Sequence, residues 1–196
     1  MAEIEDSFQP IGSRMRRRYV ICSHSSPLWN VSSRDSVLTF ETRSTLHGLH
    51  GKATGLEGFV ELGFDGDESV AADPVPKMHV EFPVEMLRSG NALQDREMWK
   101  LVDSRRFPRV SADLRDVRPG DGPGRYAAAG DVTLSGRSRR YEGEFTLDRS
   151  GDTITIEGDL SIDIRDFGLK PPNLLIVKVE PTVRVHLHLV AARAAR

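Results

Sequence analysis

The chain has 196 residues, with 27 Lys and Arg against 29 Asp and Glu, and a single cysteine. That near balance supplies no global field for nucleic acid or an anionic membrane surface, and one thiol excludes a disulfide framework and a Cys-rich metal site. The length suits one domain whose core needs no covalent staples.

Residues 1–26 lack hydrophobic periodicity and carry Pro10, Gly12 and the cluster Arg14, Arg16, Arg17 and Arg18. They read as a flexible extension preceding a folded domain over 27–196. The apolar stretch Tyr19–Cys22 that follows the arginines is too short for a secretory core of roughly 7–15 residues. Nowhere does the chain approach the ~20 apolar residues of a membrane-spanning helix. With Cys22 unpaired in sequence, the expected location is the cytoplasm, and the Asn30-Val31-Ser32 sequon is a chance match.

From Leu28 the pattern is a series of short strands separated by turn residues. Trp29–Ser32 and Val37–Thr42 flank the polar turn Ser33-Arg34-Asp35, and 47–51 (His-Gly-Leu-His-Gly) reads as a loop. Leu56–Leu62 follows. Met78, Val80, Phe82 and Val84 then alternate with His79 and Glu81, and Val110, Ala112 and Leu114 with Ser111, Asp113 and Arg115. Asn91–Val102 breaks the period of two. Leu93, Glu97, Lys100 and Leu101 fall at helical spacing, Met98, Trp99 and Val102 complete an apolar face, and Asn91 is placed to cap it. Such a helix in a β-protein covers an end or an edge.

Asp121-Gly122-Pro123-Gly124 is a turn, after which Tyr126, Ala128, Val132 and Leu134 alternate with Ala127, Ala129, Asp131 and Thr133. Tyr141, Phe145 and Leu147 oppose Glu142, Glu144 and Thr146. Ile154, Ile156, Leu160, Ile162 and Ile164 oppose Thr155, Glu157, Asp159, Ser161 and Asp163. Val183, Val185, Leu187 and Leu189 close the series. One dry face per strand demands a second sheet or closure into a barrel. The expected fold is all-β, an antiparallel lipocalin-like barrel of about eight strands with one short helix.

Small residues interrupt the dry face at Gly58, Ala112, Ala128, Gly130, Gly143 and Gly158. Two explanations stand side by side. Closing a small barrel needs sharp coiling at glycines, and small side chains on several strands leave interior room. An eight-stranded barrel is wide enough to be filled by side chains or to hold one small ligand. An apolar cavity would take an apolar ligand, each buried methylene contributing about 0.8 kcal/mol.

Several motifs carry a resemblance. They are Trp29 followed by Ser36-Val37-Leu38-Thr39-Phe40, the segment Gly51–Leu62, the block from Ser89-Gly90-Asn91 to Phe107-Pro108, Gly130-Asp131-Val132-Thr133-Leu134-Ser135-Gly136, and Arg165-Asp166-Phe167-Gly168. In order and combination these resemble the YceI-like family of lipocalin-like barrels associated with polyisoprenoid binding, over about Leu28 to Val190. The chain departs at Asp35-Ser36, where the family has a His-Ser pair, and at Asp95-Arg96, where its helix start is altered. The resemblance implies an extended barrel holding an isoprenoid or another amphiphile, often as a homodimer, with no cofactor. The expected ligand-binding set is Phe40, Phe82, Trp99, Leu134, Tyr141, Phe145, Ile156, Leu160, Ile162 and Phe167, with Arg165 at the rim.

Catalytic and metal patterns are weak by comparison. His186 and His188 share an outward strand face with Arg184 and no evident carboxylate cluster, and His47 and His50 lie in the Gly-rich segment. No Gly-x-Ser-x-Gly elbow occurs, and Gly48, Gly51 and Gly55 lack the strand-then-helix context of a phosphate loop. Arg165-Asp166 reads as a rim ion pair, with Phe167 plugging the barrel and Gly168 turning the chain. The leading expectation is a non-enzymatic carrier of a hydrophobic small molecule. Its rivals are a barrel enzyme acting on such a molecule and an interaction protein with a filled interior.

Overall fold

The computed structural model describes residues 26–45, 48–65, 69–171, 173–174 and 177–194. The arginine-rich extension, Cys22 and His47 lie outside the described residues.

The strands are β1 (Leu28–Val31), β2 (Val37–Arg43), β3 (Gly48–Ala53), β4 (Glu57–Glu61), β5 (Lys77–Pro83), β6 (Arg109–Pro119), β7 (Arg125–Leu134), β8 (Arg137–Ser150), β9 (Thr153–Asp163), β10 (Asn173–Leu174), β11 (Val177–Lys178) and β12 (Thr182–Arg193). Helix α1 (Ala92–Val102) lies between β5 and β6. All strand pairings are antiparallel. The ring β1-β4-β5-β6-β7-β8-β9-β12 closes where Trp29 meets Arg193 and Val31 meets Ala191. This is the expected eight-stranded barrel with one short helix. β2 and β3 extend it, and β10 with β11 forms a separate hairpin.

β1 and β2 lie end to end along β12, and the break between them is held by one hydroxyl. Ser36 is buried, its Oγ donates to the Val190 carbonyl at 3.2 Å, and it accepts the Val190 N–H at 3.0 Å. The Val190 N–H that the broken strand leaves without a backbone acceptor is thereby satisfied by a side chain, while the Val190 carbonyl also accepts the Ser32 N–H at 2.8 Å.

The segment read as a loop at 47–51 is instead β3 from Gly48 onward. Its backbone pairs with β2 from Gly48–Arg43 to Ala53–Leu38, and the Phe40 ring packs where a Cβ of Gly51 would lie. Glycines suggested a loop, but here one of them makes room for a cross-strand aromatic ring.

Two glycines on the dry face serve coiling. Gly58 has φ +147°, and a Cβ there would collide with the His79 backbone carbonyl; a Cβ at Gly130 would lie 2.6 Å from the Asp113 carbonyl oxygen. Neighbouring backbones press too close for any side chain, the local geometry of a strongly bent sheet.

Helix α1 begins as expected: the Asn91 side-chain oxygen accepts from Leu93 N–H at 2.9 Å and Gln94 N–H at 3.3 Å. Its apolar face is shorter than the sequence suggests. Val102 is buried and Trp99 half-buried, but Leu93 is 61% exposed. The apolar packing lies in the last turns, while the first turn is held through the buried Asp95.

Candidate functional site

The interior holds two packed clusters. At one end Trp29, Leu56, Ile154, Leu189 and Ala191 are at most 1% exposed, and Trp29 Nε1 donates to the Leu62 carbonyl at 3.3 Å. The space left among Val60, Met78, Phe145, Leu147 and Ile156 is about 20 Å³, room for no more than one water-sized group. At the other end Val84, Val102, Leu134 and Phe167 are buried, with Trp99, Tyr141 and Ile162 packed on them. The clusters meet on the β5 and β6 side, where Leu87 and Val110 pack against both.

On the opposite wall they do not meet. Phe40, Val185 and Leu160 form one cross-strand row over β2, β12 and β9, continued on one side by Gly51. All three face inward by register, yet each is only half-buried and belongs to neither cluster. Solvent reaches these side chains where they line an open depression along the same strands. Beside Leu160, on β8, stands Gly143. A Cβ there would meet nothing closer than the Asp159 oxygen at 3.5 Å and Leu160 Cδ1 at 3.6 Å, ordinary contacts. Coiling therefore accounts for Gly58 and Gly130, whereas at Gly143 a small side chain would fit. At Gly158 the added carbon would lie 3.2 Å from Phe145 Cβ, so that position is already covered.

The expected site residues divide accordingly. Phe82, Phe145 and Ile156 lie in or against the first cluster; Leu134 and Phe167 lie in the second, with Trp99, Tyr141 and Ile162 on it. Phe40 and Leu160 stand between. Arg165 sits apart: its side chain is 64% exposed and bidentate on Asp163, Nη2 to Oδ2 at 2.6 Å and Nε to Oδ1 at 3.0 Å. The anticipated Arg165–Asp166 pair is thus replaced. Asp163 caps the short 3₁₀ turn Ile164–Phe167 by accepting from Arg165 N–H, which brings the two charges together two residues apart. Asp166 instead accepts from the Tyr141 hydroxyl at 2.9 Å. Burial, reinforced by that carboxylate, pushes the Tyr141 phenol up to about 12.

The two motifs that carried most of the sequence signal converge here. Gly168 has φ +73°, and the Arg137 guanidinium fills the space beside it where a Cβ would go. Tyr141 stacks on Phe167 with ring centroids 6.1 Å apart. Gly168 is thus required both by its left-handed backbone and by the packed Arg137.

Asp95 escaped the sequence reading as a structural centre. It is 4% exposed and accepts from Ser89 N–H at 2.6 Å and Ser89 Oγ at 2.7 Å, with Arg88 Nη1 at 3.7 Å. Burial opposes its ionisation, but these partners outweigh burial and hold the carboxyl below its ordinary 3.8. Arg88 also lies 4.5 Å over the Trp99 ring, whose Nε1 donates to the Leu87 carbonyl. The signal available was the spacing of Ser89 and Asn91 ahead of an acidic residue in the first helical turn.

On the outer face the histidines do have carboxylate partners, contrary to expectation. His186 Nδ1 lies 2.9 Å from Asp159 Oδ1, and His188 Nδ1 2.9 Å from Glu157 Oε1, each pair joined across β12 and β9. These partners are distant in sequence and adjacent only by strand register. Among the described residues no three potential metal ligands gather. An open depression of about 580 Å³ follows the same strands, its lining mixing Phe40, Leu160 and Val185 with charged residues such as Glu41, Asp159 and Arg184. No helix among the described residues is long and apolar enough to cross a membrane.

Comparison with solved structures finds the same fold. BcnA of Burkholderia cenocepacia aligns with TM-score 0.68 at 20% identity, over 83% of this chain and 99% of that one. A polyisoprenoid binding domain from Saccharophagus degradans, implicated in plant cell wall breakdown, aligns at 0.64 and 12%, over 85% and 98%. The YCEI protein of Campylobacter jejuni aligns at 0.58 and 13%, over 74% and 85%. No curated protein matches the chain. At these identities the likeness is one of fold. The family itself is given by sequence: the pattern of the YceI-like domain matches residues 29–191, and the chain belongs to that family.

Proposed function

We propose that this protein binds a hydrophobic amphiphile of the isoprenoid class inside its barrel and acts as a carrier rather than an enzyme. The observation that carries the reading is the row Phe40–Val185–Leu160, apolar, inward and only half-buried, with the side-chain-free Gly143 beside Leu160. Leaving such a surface wet forfeits about 25 cal/mol per Å², which a lipid chain would recover. Family membership and the polyisoprenoid-binding relative support the choice of ligand class. Binding rather than catalysis is supported by the chemistry beside the row. Tyr141, on the inner face of β8, is held as a neutral phenol by burial and Asp166, too weak an acid to exchange protons near neutrality, and the charged groups bordering the row pair with one another, His186 with Asp159 and Arg184 with Glu41.

The test is native mass spectrometry of protein purified without detergent, followed by organic extraction. A co-purifying lipid is expected, and refilling the delipidated protein should displace an apolar fluorophore. Gly143→Leu should keep the fold and lose that binding. The filled-barrel alternative is favoured by the 20 Å³ void at the Trp29 end. It predicts no lipid, no fluorophore uptake and no effect of Gly143→Leu.

A further inference from the structure

The outer face of β12 carries two histidines that the barrel interior does not use. His186 and His188 stand two residues apart on one strand, directly opposite Asp159 and Glu157 of β9. They make two adjacent rungs of like composition, each with the ring Nδ1 2.9 Å from a carboxylate oxygen. A carboxylate only accepts hydrogen bonds, so the ring nitrogen facing it carries the hydrogen. In the neutral ring the lone pair is then on Nε2, and among the described residues neither Nε2 has a partner. Both rings are reached by solvent, their side chains 46% and 33% exposed.

We propose that His186 and His188 together chelate a divalent late first-row transition ion through their Nε2 atoms, with Asp159 and Glu157 as the carboxylates that fix the two rings. A metal-binding histidine usually donates its other ring N–H to a carboxylate, which sets the tautomer and raises the basicity of the ligating nitrogen. Here that arrangement occurs twice, side by side. Residues two apart on a strand lie about 7 Å from each other. Two imidazole side chains close that gap when each nitrogen lies about 2 Å from one ion. Imidazole donors suit Cu²⁺, Ni²⁺ and Zn²⁺ rather than Mg²⁺ and Ca²⁺, and Cu²⁺ is the tightest of the three. The surrounding charge favours a cation. Glu144 lies beyond Asp159 on the same face, and on the other side of His186 come Thr39 and then Lys52; His188 is flanked by Glu157 and Val37. Arg184, which would repel an ion, is held by Glu41 at 2.8 Å. With no third ligand gathered among the described residues, water completes the coordination, as in a site that loads and unloads rather than one that holds the fold together. The site lies outside the barrel and is independent of what the interior binds.

The experiment titrates the untagged full chain with Cu²⁺, Ni²⁺ and Zn²⁺ near neutral pH, by calorimetry in a buffer that does not bind metal. His186→Ala and His188→Ala should each weaken binding about tenfold or more, because one leg of a chelate is lost. Asp159→Asn and Glu157→Gln should weaken it about tenfold while both ligating rings remain. His50→Ala, on β3 two strands away, should leave it unchanged. The imidazole nitrogen-15 spectrum of the wild type reads the ligands directly: Zn²⁺ should shift Nε2 of His186 and His188 while Nδ1 keeps its hydrogen. Unchanged affinity in both folded histidine variants overturns the proposal, and so does an equal loss in His50→Ala. Displacement of the ion by excess Mg²⁺ also overturns it, by assigning the ion to the carboxylates alone. Should a variant fail to fold, the wild-type spectrum still decides, since Nε2 signals of these two residues that Zn²⁺ does not move sink the idea.

Discussion

At the scale of single residues, three side chains have measurable signatures. Tyr141 is half-buried and bonded to Asp166, and desolvation reinforced by that carboxylate raises its phenol from 10 to about 12. A raised folded value means that the stability it lends is complete below pH 10 and lost as pH climbs toward 12. Phenolate absorbance should show one tyrosine titrating last, and Tyr141→Phe should abolish that step and flatten the stability loss over the same window. Asp95 behaves oppositely. Its carboxyl is held below 3.8, so its contribution is present at neutral pH and lost as pH falls below that value. Asp95→Ala leaves the Ser89 N–H without an acceptor and should cost about 1–3 kcal/mol in denaturant melts at pH 7, and less in strong acid. Arg165 is already engaged by Asp163. If it meets an anionic head group, Asp163→Asn should tighten binding of a prenyl phosphate over the matching alcohol, and Arg165→Met should weaken it. Equal responses of the two ligands would assign Arg165 to the turn alone.

Elements show why glycines of similar sequence context do different work. Gly58 and Gly143 both lie on the dry face. At Gly58 the backbone of β5 excludes any side chain, and the residue has positive φ; at Gly143 a Cβ would make only ordinary contacts. Gly58→Ala should therefore lower stability by several kcal/mol, a clash plus a strained backbone. Gly143→Ala should leave the melting curve nearly unchanged. Loss of fold in both would assign Gly143 to coiling as well. Helix α1 rests on its capping residue and last turns, since Leu93 contributes no burial. Removing the Asn91 oxygen with Asn91→Ala should cost about 1 kcal/mol. The outer rows of ion pairs, Arg184 on Glu41 and the histidines on β9, are exposed, and pairs of this kind contribute about 0–1 kcal/mol each. The barrel is therefore held by its interior.

For the molecule as a whole, ligand binding and stability are linked through the space between the two clusters. A ligand at 100 times its dissociation constant adds about 2.7 kcal/mol, which for a chain of this size raises the melting temperature by about 5–10 °C. That shift should appear with farnesol and vanish in Gly143→Leu. Much of the architecture was legible in the sequence. A period of two with one dry face identifies the strands of 141–164 whatever they pack against, and Asn91 before a helical pattern marks α1. The family motifs were legible too, because they are local. What the sequence leaves open is how the dry face is used. Gly58, Gly130, Gly143 and Gly158 look alike in sequence. Only the neighbouring strand decides whether a backbone, a ring or a side chain at ordinary distance stands opposite each of them. Strand register likewise decides which charges meet: Arg165 takes Asp163, Tyr141 takes Asp166, and His186 finds Asp159 from 27 residues away. Alternation is a property of one strand and can be read from it. Room and pairing belong to strands brought together, and they exist only once the barrel has closed.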